Sequence, residues 1–209
     1  MFDHVISHYP DFPKPGIDFI DVLPFMHHKE EFRQAIAEIG RLTTAPNVAT
    51  VEARGFLFAA PLLTQCDHIH TLVPVRKKGK LPHADGDLVK VPIEKEYGSD
   101  EVFYRRSDLA QCTPSDGVIE ITLFDDLLAT GGTALGIAQK LNNEVIGPYR
   151  VHVKEFLFIV ELPALRGRTL LEPLAPVRRA SCSQRIRRRY RKRGSHHRAE
   201  PYRYSSKPW

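Results

Sequence analysis

Cysteine is scarce in this chain, and its placement excludes two classes of protein. Cys66, Cys112 and Cys182 are odd in number and far apart. Neither a disulfide framework nor a zinc site of paired cysteines is expected, and a reducing compartment, the cytoplasm, is. Long apolar runs are missing too: none reaches the roughly 18 residues of a membrane span. The stretch Met1-Phe-Asp-His-Val-Ile-Ser-His8 lacks the basic region and apolar core of a secretory signal, so none is expected. Internal repeats are absent, and biased composition is confined to the C-terminal end.

What is present suits one globular domain. The 209 residues are 42% hydrophobic, enough for a sizeable core. The net charge of +5 is misleading. Of the 30 basic and 25 acidic residues, 12 and one fall in 178–209, so residues 1–177 hold 18 and 24, a net of −6. The basic character belongs to the end of the chain. We therefore divide it into a folded body, 1–177, and a basic tail, 178–209, expected to be disordered.

The most informative stretch is Ile121-Thr-Leu-Phe-Asp-Asp-Leu-Leu-Ala-Thr-Gly-Gly-Thr-Ala134. Val118, Ile119, Ile121, Leu123 and Phe124 read as a strand covered on both faces. Asp125 and Asp126 follow, then Thr130-Gly-Gly-Thr133 and a helix expected from about Thr133 to Asn142. Gly131 and Gly132 lack a Cβ, so backbone N–H groups can approach an anion, and the helix adds its positive end. Two adjacent acids would repel a bare phosphate. They fit a ligand that carries hydroxyls or a metal beside its phosphate, such as a sugar phosphate with Mg²⁺. The competing reading, a strand–turn–helix with glycines needed only for the turn, does not explain the acids.

The remaining elements follow in order. Tyr9-Pro-Asp-Phe-Pro-Lys-Pro-Gly16 is stiff and irregular, and Ile17–Leu23 alternates like an edge segment over the core. Phe32, Ile36, Ile39 and Leu42 recur at helical spacing, predicting a helix over 30–42. Val48–Val51 predicts a strand and Glu52–Leu63 a helix. Arg54 then sits at a strand-to-helix turn, the ligand edge of an open α/β sheet, as a fork for phosphate oxygens or as a surface ion pair. Leu72–Val75 predicts a strand that runs into Arg76-Lys-Lys-Gly-Lys80, cations that suit a diphosphate or simply solvate a face. Residues 80–104 read as a flexible excursion with two extended pieces, a candidate lid. Val151–Val160 predicts a further buried strand, and 162–168 a short turn. The alternation of strands and helices predicts an α/β fold, a mainly parallel sheet with helices on both faces.

These segments in this order resemble the adenine phosphoribosyltransferase family of the type I phosphoribosyltransferases. The resemblance rests on Tyr9–Gly16, Glu52-Ala-Arg-Gly-Phe-Leu-Phe58, Val73–Pro82, Glu96-Tyr-Gly98, the acidic-glycine stretch and Glu161-Leu-Pro-Ala-Leu-Arg-Gly-Arg168, and it spans about 5–177. It implies purine salvage: transfer of a phosphoribosyl group from phosphoribosyl diphosphate (PRPP) to adenine, giving AMP and diphosphate, with Mg²⁺, in a homodimer. It further implies that Ala129, Thr130, Gly131, Gly132 and Thr133 cradle the 5′-phosphate and that Asp125 and Asp126 hold the ribose hydroxyls. Arg54, Arg76 and Lys80, with an unusual backbone turn between Glu52 and Ala53, would hold the diphosphate. Glu96 would handle the purine proton, with Arg54 beside it in catalysis; its competing reading is a carboxylate on a charged loop. Asp18, Phe19 and Ile20 would cover adenine.

Two departures from the family pattern stand out. The base-covering loop commonly reads Phe-Arg-Asp, and here it is Phe19-Ile20-Asp21, with a carboxylate at Asp18. That opens an alternative 6-oxopurine substrate. After Pro176 the family's short apolar strand is replaced by Val177-Arg-Arg-Ala-Ser-Cys and the basic tail. Its cations and tyrosines are the only feature that would serve RNA binding, or a non-enzymatic PRPP sensor on the same fold.

Overall fold

The computed structural model describes residues 2, 4–12, 15, 18–94 and 99–180. The chain opens with β1 (Ser7–Pro10) and β2 (Asp18–Asp21), an antiparallel ribbon in which Tyr9 pairs with Phe19 and His8 with Ile20. After a 3-10 turn at Leu23–His27 comes α1 (Lys29–Leu42). Its apolar positions Ile36 and Ile39 are fully buried, while Glu30–Arg33 and Glu38–Arg41 pair along its wet face. Such exposed pairs are screened by solvent and contribute little; burial of the other face, about 1.5–3 kcal/mol per large side chain, holds the helix down.

Next come β3 (Asn47–Val51), α2 (Arg54–Ala59), α3 (Leu62–Gln65) and β4 (Thr71–Lys77). The single helix expected over 52–63 is two short ones that meet at Pro61, whose ring cannot donate to the preceding turn. β5 (Leu88–Glu94) and β6 (Ser99–Arg105) follow, then α4 (Arg106–Leu109), β7 (Val118–Leu128), α5 (Gly132–Asn142) and β8 (Val145–Ile146). The chain continues through β9 (Tyr149–Glu161), α6 (Gly167–Leu171) and β10 (Val177–Arg179).

Among the described residues the main sheet has the order β10-β9-β7-β3-β4-β6-β5, with β8 on β9. β10, β9, β7, β3 and β4 are parallel, whereas β6, β5 and β8 run antiparallel to their neighbours. One face packs on α5 through Ile121, Leu123, Ile137 and Leu141. The other packs on α1 and α2 through Val48, Phe124, Ile36, Ile39 and Phe58. The sheet is thus covered on both sides, as its continuous apolar strands require.

Two expectations about the ends of the sheet are corrected. The excursion over 80–104 is largely a regular hairpin: β5 and β6 pair from Leu88↔Arg105 to Glu94↔Ser99 and extend the sheet past β4. The tail boundary also moves. Arg178 and Arg179, counted with the basic tail, form β10 and cover the edge of β9 in the register Arg178↔Leu157. Glu155 explains why an arginine-bearing strand fits there. Only 1% exposed, it accepts from the Thr44 N–H at 2.6 Å and the Thr122 hydroxyl at 2.8 Å, and it pairs with Arg178 Nε at 2.7 Å. A buried carboxylate with this set of partners is compensated. The tail beyond Ala180 lies outside the described residues. No described helix is long and apolar enough to cross a membrane.

Candidate functional site

The site forms where the strand order reverses. From β3 the chain proceeds to β4 on one side, and from β7 to β9 on the other. Connections that leave in opposite directions open a crevice at the carboxyl ends of the two middle strands. β3 and β7 pair in the register Ala49↔Leu123 and Thr50↔Phe124. Residues just beyond these pairs, Glu52–Arg54 and Asp125–Thr133, are therefore delivered to one place, although some 70 positions separate them in the chain.

The acidic pair lies inside β7 rather than after it. Strand alternation sends Asp126 toward α2, where Arg54 Nε meets its carboxylate at 2.9 Å. Asp125 lines the pocket instead, and its Oδ1 accepts from the Asp126 N–H at 2.9 Å. Burial raises the Asp125 carboxyl well above its ordinary 3.8, and the charge of Asp126 adds to the effect. Burial raises Asp126 as well, against the opposing pull of Arg54. Two adjacent acceptor groups, one half-buried in the pocket and one buried behind it, suit a ligand that brings hydroxyl donors or positive charge.

The glycine turn follows. Gly131 adopts φ 83°, a left-handed conformation that side-chain-bearing residues avoid, and caps α5 as its N-cap residue. That turn leaves the first N–H groups of an 11-residue helix open to the pocket. The pocket, about 90 Å³, is lined by Asp125, Leu127 to Ala134 and Phe158. Ala129, Thr130, Gly131, Gly132 and Thr133 are thus all brought together. Phe158 was not identified from sequence, because in the apolar run of β9 nothing distinguishes the residue that floors a pocket from those that fill the core.

Glu52, Ala53 and Arg54 join the two sides of the crevice. The Glu52–Ala53 peptide is cis. Upstream of it, Glu52 N–H donates to Val75 O at 2.9 Å and the Glu52 carboxylate accepts from Arg76 Nε at 2.7 Å. Arg76 Nη1 in turn donates to Lys80 O at 2.7 Å, which curls the Lys77–Lys80 turn back over the strand end. Arg76 is in β4, not in the loop after it, and that is why it reaches Glu52. Lys80 is exposed.

The base-covering segment is β2. Phe19 lies under the Arg54 guanidinium, 5.3 Å from ring centroid to Cζ, and packs edge-on against Phe12 at 5.3 Å. Arg54 Nη1 also donates to Ile20 O at 3.2 Å. Arg54 is therefore a joint between the β2 hood and the β7 acids. Asp18 faces His8 across the ribbon at 3.1 Å. Ile20 must be corrected as an adenine-covering side chain: it is 1% exposed and packed in the core with Phe25 and Phe58, so only its backbone faces the site. Its alternation with Phe19, not its identity, decides that. Glu96 and Tyr97 lie outside the described residues.

The chain is similar to known proteins over most of its length. No protein-family model matches the chain. The adenine phosphoribosyltransferase of Rhizobium meliloti (strain 1021) is 40% identical over 172 residues, covering 81% of this chain and 87% of that protein. The adenine phosphoribosyltransferase of Synechococcus sp. (strain CC9902) is 41% identical over 172 residues, covering 78% and 85%. Among solved structures, the adenine phosphoribosyltransferase of Thermoanaerobacter pseudethanolicus ATCC 33223 superposes with a TM-score of 0.68 at 32% identity, covering 85% of this chain and 97% of its own. The Saccharomyces cerevisiae enzyme, complexed with D-2,5-dideoxy-2,5-imino-altritol 1,6-bisphosphate and adenine, gives 0.67 at 30%, covering 86% and 96%. With relatives this similar over most of both chains, and with the acidic pair and glycine cradle meeting at the switch point, the chain belongs to the adenine phosphoribosyltransferase family.

Proposed function

We propose that the protein salvages adenine by transferring the phosphoribosyl group of PRPP to N9, which gives AMP and diphosphate. One observation carries this reading: a glycine-turned anion cradle at the N-terminus of α5 shares its pocket with the Asp125 carboxylate, and the neighbouring Asp126 is buried against Arg54. A phosphate site alone needs no such acids; a ribose 5-phosphate does. In the reaction the C1′–O bond to diphosphate breaks with its electron pair, the C1′–N9 bond forms on the opposite face, and the N9 proton leaves. Positive charge develops on the ribose while negative charge develops on the leaving group.

The roles are those the family resemblance implies, supported by where the described residues stand. Ala129, Thr130, Gly131, Gly132 and Thr133 hold the 5′-phosphate through backbone N–H groups and hydroxyls. Asp125 and Asp126 accept from the ribose hydroxyls, and their charge lies close to the developing cation. Arg76 and Lys80, with the cis peptide between Glu52 and Ala53, receive the diphosphate. Arg54 neutralises Asp126 and supports Phe19, which with Asp18 and the Ile20 backbone covers adenine. Glu96 takes the purine proton. Mg²⁺ fits as a guest of the substrate: no group of three His, Cys, Asp or Glu among the described residues could hold a metal, yet Asp125 presents a carboxylate in the pocket of the cradle. A cation that keeps most of its waters and rides on diphosphate suits such a site, where it would neutralise leaving-group charge. The free thiols of Cys66 and Cys112 suit a cytoplasmic protein, and the homodimer rests on the family resemblance.

The test is diphosphate release from PRPP and Mg²⁺ with adenine, hypoxanthine, guanine or no base. Turnover with adenine alone is the expected result. Ile20 is turned into the core, which removes one of the two grounds for a 6-oxopurine preference and leaves Asp18 as the other; turnover with hypoxanthine would overturn the base assignment. PRPP binding without turnover on any base would favour a sensor instead.

A further inference from the structure

The late segment Glu161–Leu171 has no part in the roles above, yet it forms the wall behind the phosphate loop. Leu162 N–H donates to Leu128 O at 2.8 Å. Arg166, at φ 55°, then turns the chain so that Gly167 opens α6 against Ala129–Gly131. The two backbones touch. A Cβ on Gly167 would lie 2.3 Å from Ala129 O, 2.8 Å from Leu128 Cδ1 and 3.0 Å from Thr130 C. Conversely, a Cβ on Gly131 would lie 3.0 Å from Gly167 O and 3.3 Å from Gly167 Cα.

The wall is braced from behind. Arg168 donates to both carboxylate oxygens of Glu161, Nε at 3.0 Å and Nη2 at 2.8 Å, and its Nη1 donates to Val177 O at 2.6 Å. Leu171 is fully buried. The segment is tied to β9 and β10 and cannot retreat as a free loop would, so an atom added at Gly167 must move the phosphate loop.

We infer that Gly167 is a positioning residue for the 5′-phosphate: its missing side chain sets where the backbone of Ala129, Thr130 and Gly131 stands, and the Arg168–Glu161 pair braces it there. This rests on the phosphoribosyl-transfer reading. Gly167 does not itself reach the ligand. A Cβ at 2.3 Å must displace Ala129 O by about 1 Å to regain ordinary contact, and a misplacement of that size costs on the order of tenfold to a hundredfold.

The experiment titrates ribose 5-phosphate and inorganic diphosphate separately as inhibitors of the wild type and of Gly167→Ala. The expected result is a rise of at least tenfold in the PRPP KM and the ribose 5-phosphate Ki, with the diphosphate Ki and the adenine KM unchanged within about twofold. A purely structural role would loosen all four together, and an equal rise in all of them, or none in any, overturns the inference. Should Gly167→Ala fail to fold, Arg168→Met removes the brace without adding an atom to the wall. It must then show the same split at about threefold, and no split overturns the inference. Failure of the underlying reading is seen separately, as a wild type that releases no diphosphate with adenine. Calorimetric binding of ribose 5-phosphate to wild type and variant still decides Gly167 in that case.

Discussion

Replacing Asp125 with asparagine should stabilise the protein at neutral pH while disabling it. Burial, then the charge of Asp126, holds the Asp125 carboxyl well above its ordinary 3.8, and Arg54 opposes this only in part. The unfolded chain releases that proton near the ordinary value and the folded chain at higher pH. Between the two, the native state holds about one proton more, so the free energy of unfolding falls by about 1.4 kcal/mol per pH unit as pH rises. This contribution is fully present below about pH 4 and is lost as pH climbs through the raised value. An asparagine has no proton to lose, and its Oδ1 can keep the 2.9 Å bond from the Asp126 N–H. The stability difference between Asp125→Asn and wild type should therefore grow by about 1.4 kcal/mol per unit above pH 4 and then level off. For a chain of this length that is about 3–6 °C in Tm per unit. Thermal scans of ligand-free protein across pH 4.5–8.5 measure it. In parallel, loss of a charged acceptor for a ribose hydroxyl should cost about 1.5–3 kcal/mol, roughly 10- to 150-fold in kcat/KM for PRPP. A difference that stays flat with pH, or a variant less stable than wild type at pH 8, would refute the buried-pair argument. An unchanged kcat/KM would remove Asp125 from the ribose site.

Three further outcomes test other parts of the structure. Arg54→Met leaves Asp126 buried without its partner, and about 3 kcal/mol of stability should be lost in denaturant titrations along with turnover; Arg54→Lys should recover part of the stability. Truncation after Ala180 should leave the fold intact, whereas truncation after Pro176 removes β10 and the Arg178 partner of Glu155, with a loss of about 3 kcal/mol or more; equal stability of the two would deny β10 its place. Tyr104→Phe removes the hydroxyl that donates to Glu144 at 3.1 Å. It should lower Tm by about 2–4 °C, for about 1 kcal/mol, with kcat unchanged.

Much of the architecture was legible because strand and helix periodicities are local. The ends of α1, α5 and β9 fall within one or two residues of where apolar spacing puts them. Legibility failed where the deciding contact is distant. Arg178 looks like tail because a basic pair suits a sheet edge only when a buried acid waits there, and Glu155 is more than twenty residues upstream. Ile20 looked like a substitution in the base site because the family pattern fixes position and not facing; pairing with His8 in the ribbon decides that Phe19 faces Arg54 while Ile20 enters the core. The hairpin β5–β6 looks like an excursion in sequence because its strands gain their hydrogen bonds from each other and from β4, which no single stretch announces.

Chain order alone was enough to specify the acidic pair, the glycine cradle and the cation run, since each depends on residues within about a dozen positions of one another, and the order of such segments along the chain was enough for the α/β body and the family. Folding decided how they combine. Pairing of β3 with β7 at the reversal of strand order places Arg54 on Asp126, pairing of β3 with β4 places Arg76 on Glu52, and the return of the chain after β9 sets Gly167 against Gly131. These are long-range contacts made by the register of a parallel sheet. Register is chosen by burial summed over the whole core, so no local stretch of sequence carries it.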